Sequence, residues 1–151
     1  MEDFVDVRKQ IGPNGVDLTV GRIEEFETEG ALDFTNEERM ISKTKSVKLD
    51  EDGWTHIAQG SYRVVFNEVI NMPNDLIAIA RPRSSLLRSG ASIETAVWDA
   101  GYRGRSVALL NVFNPYGLRI KRGARIAQII FLKLLNPSRE AYDGIYQMEN
   151  I

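Results

Sequence analysis

With 151 residues the chain has room for one domain with a sizeable core, and its formal net charge of -2 argues against non-specific nucleic-acid binding, which needs a basic field. The absence of cysteine excludes disulfides and thiolate zinc sites, and a single histidine, His56, is a poor basis for an imidazole metal site or a Ser-His triad. No apolar run reaches membrane-spanning length and Met1-Glu-Asp is not the start of a secretory signal, so a cytoplasmic protein is expected.

In chain order, Met1–Gln10 is charged and half apolar, fitting a short helix or an irregular lead-in. Gly12-Pro13-Asn14-Gly15 is a turn cluster that releases Val16–Val20, where apolar and polar residues alternate at the strand period. Residues 22–52 are polar and acidic, an expected excursion of short elements and loops with a capping box at Thr35 and Glu38. His56 reads as a strand-surface residue. Ser61–Phe66 is a strand and residues 67–74 are a turn region containing Pro73. Leu76–Ala80 is apolar on both parities, so it is expected to be a strand covered on both faces. A single helical turn fits Ser84–Ser89, with Ser84 and Ser85 as N-caps and Gly90 as C-cap. Ser106–Phe113 is again apolar on both faces, and turns at Asn114–Gly117 and Arg122–Gly123 flank the alternating Leu118–Lys121. Arg125–Leu135 is the last long strand, with Gln128 as its odd polar member, and residues 136–151 are a loop-like tail. Short, closely spaced strands punctuated by Gly and Pro indicate an all-β barrel or jelly roll, one domain over residues 1–151.

Two stretches carry chemistry. Pro82-Arg83-Ser84-Ser85 sets an arginine beside two hydroxyls at a helix start, a pattern suited to an anion. Trp98-Asp99-Ala100-Gly101-Tyr102 sets a lone carboxylate before an aromatic in a Gly-rich turn, suited to holding a water over a sugar. Together they suggest a site for a phosphorylated small molecule, a nucleotide first of all. Each residue also has a plain structural reading. The serines serve as helix caps, Asp99 bonds to the backbone of Gly101 or Tyr102, Asp17 is a solvent-facing strand residue, and Gln128 belongs to a structural network.

Four segments in order resemble the motifs of the trimeric dUTPase and dCTP deaminase superfamily, nearest its archaeal-type dUTPase-like branch. They are Gly15-Val16-Asp17-Leu18, Pro82-Arg83-Ser84-Ser85, Ala96–Gly104 and Gly123-Ala124-Arg125-Ile126-Ala127-Gln128. The resemblance implies a distorted β-barrel assembled as a homotrimer with active sites at subunit interfaces; on charge and the lack of a spanning apolar run, neither nucleic acid nor membrane is expected as a partner. It gives Asp99 the task of orienting and deprotonating the water that attacks the α-phosphorus of dUTP, yielding dUMP and pyrophosphate. It gives phosphate contacts to Arg83, Ser84 and Ser85 of the neighbouring subunit, and places Arg125 and Gln128 near the phosphates or the interface. Base reading falls to the hairpin backbone at Ala96, and deoxyribose packing to Tyr102. Mg²⁺ would be held by substrate phosphates and waters, with Asp17 its candidate protein contact. Within the resemblance, a dCTP deaminase, a bifunctional deaminase-diphosphatase and a non-catalytic nucleotide-binding regulatory trimer are the alternatives. Leu109 stands where deaminases of this kind carry a glutamate, which disfavours deamination. The hairpin from Gly90 to Asp99 is shorter than either branch would have, and Tyr142–Gln147 resembles the deaminase-type tail rather than a Gly-rich fifth motif.

Overall fold

Eleven strands and two short helices make up the chain in a computed structural model, which describes residues 1–151. They run α1 (Val7–Gln10), β1 (Val16–Phe26), β2 (Thr44–Ser46), β3 (Trp54–Ile57), β4 (Gly60–Phe66), β5 (Ile70–Asn71) and β6 (Leu76–Pro82). There follow α2 (Ser84–Arg88), β7 (Ala91–Glu94), β8 (Arg103–Gly104), β9 (Val107–Val112), β10 (Leu118–Lys121) and β11 (Arg125–Lys133). The main sheet has the order β6-β11-β1-β4-β9-β7, with β2 also hydrogen-bonded to β1. Every ladder is antiparallel, and β10 with β3 and β5 with β8 form two small ribbons. The architecture is the expected all-β distorted barrel.

The pivot is β1. Its first half pairs with β11 and its second half with β4, with register shifts at Leu18/Thr19 and between Val20 and Arg22. Such irregularities bend a strand and re-aim its side chains, so one strand can serve two halves of a curling sheet. Alternation puts Leu18, Val64, Phe66, Leu110, Val112 and Ile129 inside, each essentially inaccessible. Removing one of these large side chains costs about 2–5 kcal/mol.

Four local expectations are corrected. β1 does not stop at Val20 but continues to Phe26. The polar residues that suggested a loop are paired within the sheet: Glu24 accepts from Arg22, from Arg63 Nε at 2.5 Å and from Thr44 Oγ1 at 2.6 Å. Burial alone would raise the Glu24 pKa, but these donors hold it below the ordinary carboxylate value. No helix forms at Thr35; Asp33 instead accepts from Thr35 Oγ1 at 2.6 Å and from the Glu37 N–H at 3.1 Å, an Asx-type turn. The α2 N-cap is Arg83, with no side-chain cap, so Ser84 and Ser85 lie inside the helix; Gly90 follows it at φ +75°. Finally, β6 is covered on its inner face only, with Ala78 buried and Ile79 37% exposed.

Candidate active site

On the outer face of the sheet, strand register lines up three polar side chains. Asp17 of β1 lies opposite Gln128 of β11, which lies opposite Arg81 of β6, and directly opposed residues share a face. The Arg83 N–H donates to the Ile126 carbonyl at 2.9 Å, which ties the end of β6 to β11. A Cβ at Gly15 would sit against the Ile129 carbonyl, so glycine is what lets the chain approach β11 this closely as it enters β1. The result is a hollow of about 510 Å³ lined by Lys9, Asp17, Arg81, Arg83, Ser84, Arg125 and Gln128 among others.

Asp17 organises this hollow. Its side chain is 10% exposed, and its Oδ2 lies 3.3 Å from both Arg83 Nε and Arg125 Nη1. Arg125 Nη1 also donates to the Lys9 carbonyl at 2.5 Å. Two guanidiniums held on one carboxylate, with Lys9 (its ammonium 3.3 Å from Asp6 Oδ2) and Arg81 also on the lining, make a site for a multiply charged anion. Ser84 shares this lining, whereas Ser85 lines a separate groove with Ser89, Leu118 and Ile120. Gln128 is half-buried in the cavity wall.

A second hollow, about 260 Å³, is lined by Ala96, Trp98, Asp99, Tyr102 and Ser106, with Tyr142, Tyr146 and Glu149 of the tail. Trp98 anchors the loop: its backbone exchanges two 3.0 Å bonds with Ala78, and its Nε1 donates to Ser106 Oγ at 2.6 Å. Asp99 is exposed. The turn is closed by the Tyr102 N–H donating to the Asp99 carbonyl at 3.2 Å, which leaves the Asp99 carboxylate outside the turn's own bonding. Tyr102 is 6% exposed; its hydroxyl lies 3.2 Å from Ser106 Oγ and donates to Glu149 Oε1 at 2.9 Å. Burial pushes the Tyr102 phenol far above its ordinary pKa, and the neighbouring Glu149 adds to the rise. Burial likewise raises Glu149, outweighing the hydrogen bond from Tyr102.

The tail is knitted to this loop. Tyr142 N–H donates to the Ala100 carbonyl at 2.9 Å, Gln147 Nε2 to the Gly101 carbonyl at 3.0 Å, and Met148 N–H to the Arg103 carbonyl at 2.7 Å. Gly101 sits at φ +85°, and a Cβ there would meet Ala141 Cβ at 2.6 Å, so both conformation and the tail require glycine.

Within one chain the structure brings Ala96, Asp99 and Tyr102 together, and separately Asp17, Arg83, Ser84, Arg125 and Gln128. The two hollows share no lining residue. Sequence reasoning missed Lys9, Arg81 and Glu149, which reach the hollows from a lead-in, a strand end and a tail. Leu109 lies on β9 directly opposite Glu94 of β7.

The profile of a family described as dCTP deaminase-like matches residues 1–134. A probable deoxyuridine 5'-triphosphate nucleotidohydrolase of Methanosarcina mazei is 51% identical over 150 residues, covering 99% of this chain and 88% of that protein. The deoxyuridine 5'-triphosphate nucleotidohydrolase of Methanocaldococcus jannaschii is 39% identical over 140 residues, covering 92% and 88%. Among solved structures, the 2'-deoxycytidine 5'-triphosphate deaminase of Agrobacterium tumefaciens superposes with a TM-score of 0.64 at 23% identity. That match covers 86% of this chain and 42% of the deaminase chain, and it supports the fold.

Proposed function

We infer the function from a plain premise: the chain belongs to the dCTP deaminase-like family, within the dUTPase and dCTP deaminase superfamily. We propose that it hydrolyses dUTP to dUMP and pyrophosphate. The observation that carries this reading is the division of the site into an anion hollow around Arg83 and a nucleoside-sized hollow beside an unengaged Asp99. The nucleotidohydrolase relatives at 39–51% identity over nearly the whole chain supply the substrate.

In this mechanism Arg83, Arg125, Arg81 and Lys9 bind the phosphate chain, with Asp17 aiming the two guanidiniums it touches and Ser84 adding a hydroxyl donor. Ala96 and the loop backbone face the base, and Tyr102 forms the wall beside the sugar. Asp99 orients the attacking water and takes its proton. Phosphoryl chemistry through a loose transition state asks mainly for positioning and charge stabilisation, so an ordinary carboxylate suffices. The donor set fits an Mg²⁺ carried by substrate: the hollow offers cations for phosphate and one carboxylate, Asp17, which would be the protein's contact to the metal's waters. Bound there, Mg²⁺ would neutralise phosphate charge.

The division also favours a homotrimer. Ile77, Ile79, Ile130 and Leu132 share the outer face with Arg81 and Gln128, forming an apolar surface that continues from the anion hollow. A second copy seated there would cover it and bring its own Asp99 loop to the phosphates. Deamination is the disfavoured alternative: the carboxylate opposite Leu109 is the exposed Glu94, and neither residue lines the nucleoside-sized hollow. The test is turnover of dUTP, dCTP, dTTP and UTP with Mg²⁺, following pyrophosphate and the base of the product. Pyrophosphate and dUMP from dUTP are expected; uracil appearing from dCTP would move the deaminase reading ahead.

A further inference from the structure

Behind the anion hollow lies a polar cluster of Glu68, Thr19 and Gln10, of which only Gln10 reaches the hollow's lining. Glu68 is 0% exposed and forms no ion pair. Its carboxylate accepts from Gln10 Nε2 at 2.6 Å, from the Thr19 N–H at 2.9 Å and from Thr19 Oγ1 at 2.7 Å. Burying a carboxylate away from any cation is unfavourable, and only a full set of donors offsets it. The Thr19 N–H is one of these donors because the β1–β11 register shifts at Leu18/Thr19, immediately after Asp17.

Gln10 is equally committed. Besides reaching Glu68, its Nε2 donates to the Asp17 carbonyl at 2.9 Å, and its Oε1 accepts from the Asp6 N–H at 2.9 Å. It is the last residue of α1, a helix of four residues that cannot hold itself in place. Lys9 stands beside it in the same turn, and the Lys9 carbonyl supports Arg125. Two short paths therefore leave Glu68, one through Gln10 to Lys9 and Arg125, the other through Thr19 to the bulge that sets Asp17.

We propose that Glu68 is a positioning residue for the phosphate chain: acting through Gln10 and Thr19, it fixes Lys9, Asp17 and Arg125 around the anion hollow. The identity of the anion rests on the dUTP reading above, but the positioning role can be tested with inorganic tripolyphosphate. Neither Glu68 nor its partners line the nucleoside hollow, so its loss should weaken polyphosphate binding and leave nucleoside binding alone. A residue that merely filled the core would do neither selectively.

Glu68→Gln keeps the size and replaces one acceptor oxygen by an NH₂ group facing donors. Dissociation constants of the folded variant for tripolyphosphate and for deoxyuridine are compared with those of the native protein. We expect tripolyphosphate to weaken about tenfold or more, equivalent to about 1.4 kcal/mol, with deoxyuridine unchanged within about twofold. Unchanged affinity for both, or parallel loss of both, overturns the proposal, as does a native protein that binds no tripolyphosphate. If Glu68→Gln does not fold, Thr19→Val, which removes the hydroxyl bond to Glu68 from a residue that lines neither hollow, must show the same selective loss; native affinities there overturn it too. Native protein that binds tripolyphosphate yet does not turn over dUTP would defeat the dUTP reading and leave this one standing.

Discussion

The two hollows are built on different principles. The anion hollow is assembled on strands: adjacent registers of β1, β11 and β6 set its side chains, and Asp17 holds two guanidiniums before any ligand arrives. The second hollow, the one proposed for the nucleoside, is assembled on a loop, roofed by the tail and sealed by the Tyr102 hydroxyl. Charge needs a rigid frame, because like charges held together repel until the ligand comes. A sugar and base need a fitted wall, which loops supply more readily than strands. Preorganisation thus lies in one half and closure in the other.

The largest effect is expected at Asp99. If it positions the attacking water, Asp99→Asn lowers dUTP turnover about a hundred- to ten-thousand-fold, the usual worth of an acid–base group. Nucleotide affinity should hold or tighten, since a negative charge near the phosphates is lost. Rates and affinities measured on the same folded protein decide it, and near-native turnover removes Asp99 from the chemistry.

A second test asks whether the halves come from different subunits. Arg83→Ala and Asp99→Asn are each expected to be nearly inactive. Co-assembled in equal amounts into trimers, they should regain about a quarter of native activity, because that fraction of interfaces pairs an intact Arg83 with an intact Asp99. No regain in verified mixed trimers would place both halves of each site in one chain.

How much of this was legible beforehand follows the same division. Strands such as β4, β6 and β9 were readable because local alternation and Gly-Pro punctuation mark them, and most residues lining the two hollows fall in or beside the short contiguous motifs. What could not be read depends on pairing across the chain. The extension of β1 to Phe26 needs Arg22 and Arg63 to neutralise Glu24 and the Thr44 hydroxyl to donate to it. The importance of Glu68 was hidden because residues 67–74 look like a turn and its partners lie 49 and 58 residues away. The uncovered outer face of β6 was also concealed, since apolar residues on both parities give no sign of which face the barrel covers.

Tyr102 sharpens the contrast at smaller scale. Tyr102→Phe removes the bonds to Ser106 and Glu149 but keeps the ring, so the preference for dUTP over UTP should survive while the tail loosens. Tyr102→Ala removes the wall and should reduce that preference about tenfold or more, if steric exclusion of the 2′-hydroxyl is what discriminates. The ratio of kcat/KM for the two nucleotides is the readout, because it is insensitive to the fraction of protein folded. Equal ratios in native protein and Tyr102→Ala would take sugar selection away from this residue.

The smallest effect expected is a pH dependence of closure. Burial raises the Glu149 pKa above its ordinary 4.5 when the tail is docked. The docked tail therefore binds a proton more tightly than the free one, and docking is strongest below the free value. As pH rises through the raised docked value, Glu149 ionises in a desolvated place and that part of the docking free energy is lost. Protection of the Tyr142 and Met148 amides, which donate to the Ala100 and Arg103 carbonyls, should fall a few-fold from pH 4.5 towards neutral once intrinsic exchange is corrected. Glu149→Gln keeps an acceptor for the Tyr102 hydroxyl and carries no charge, so its protection should be flat across the same range. Protection that rises with pH in the native protein would mean that Glu149 docks as a carboxylate, and the closure would then owe its strength to charge rather than to packing.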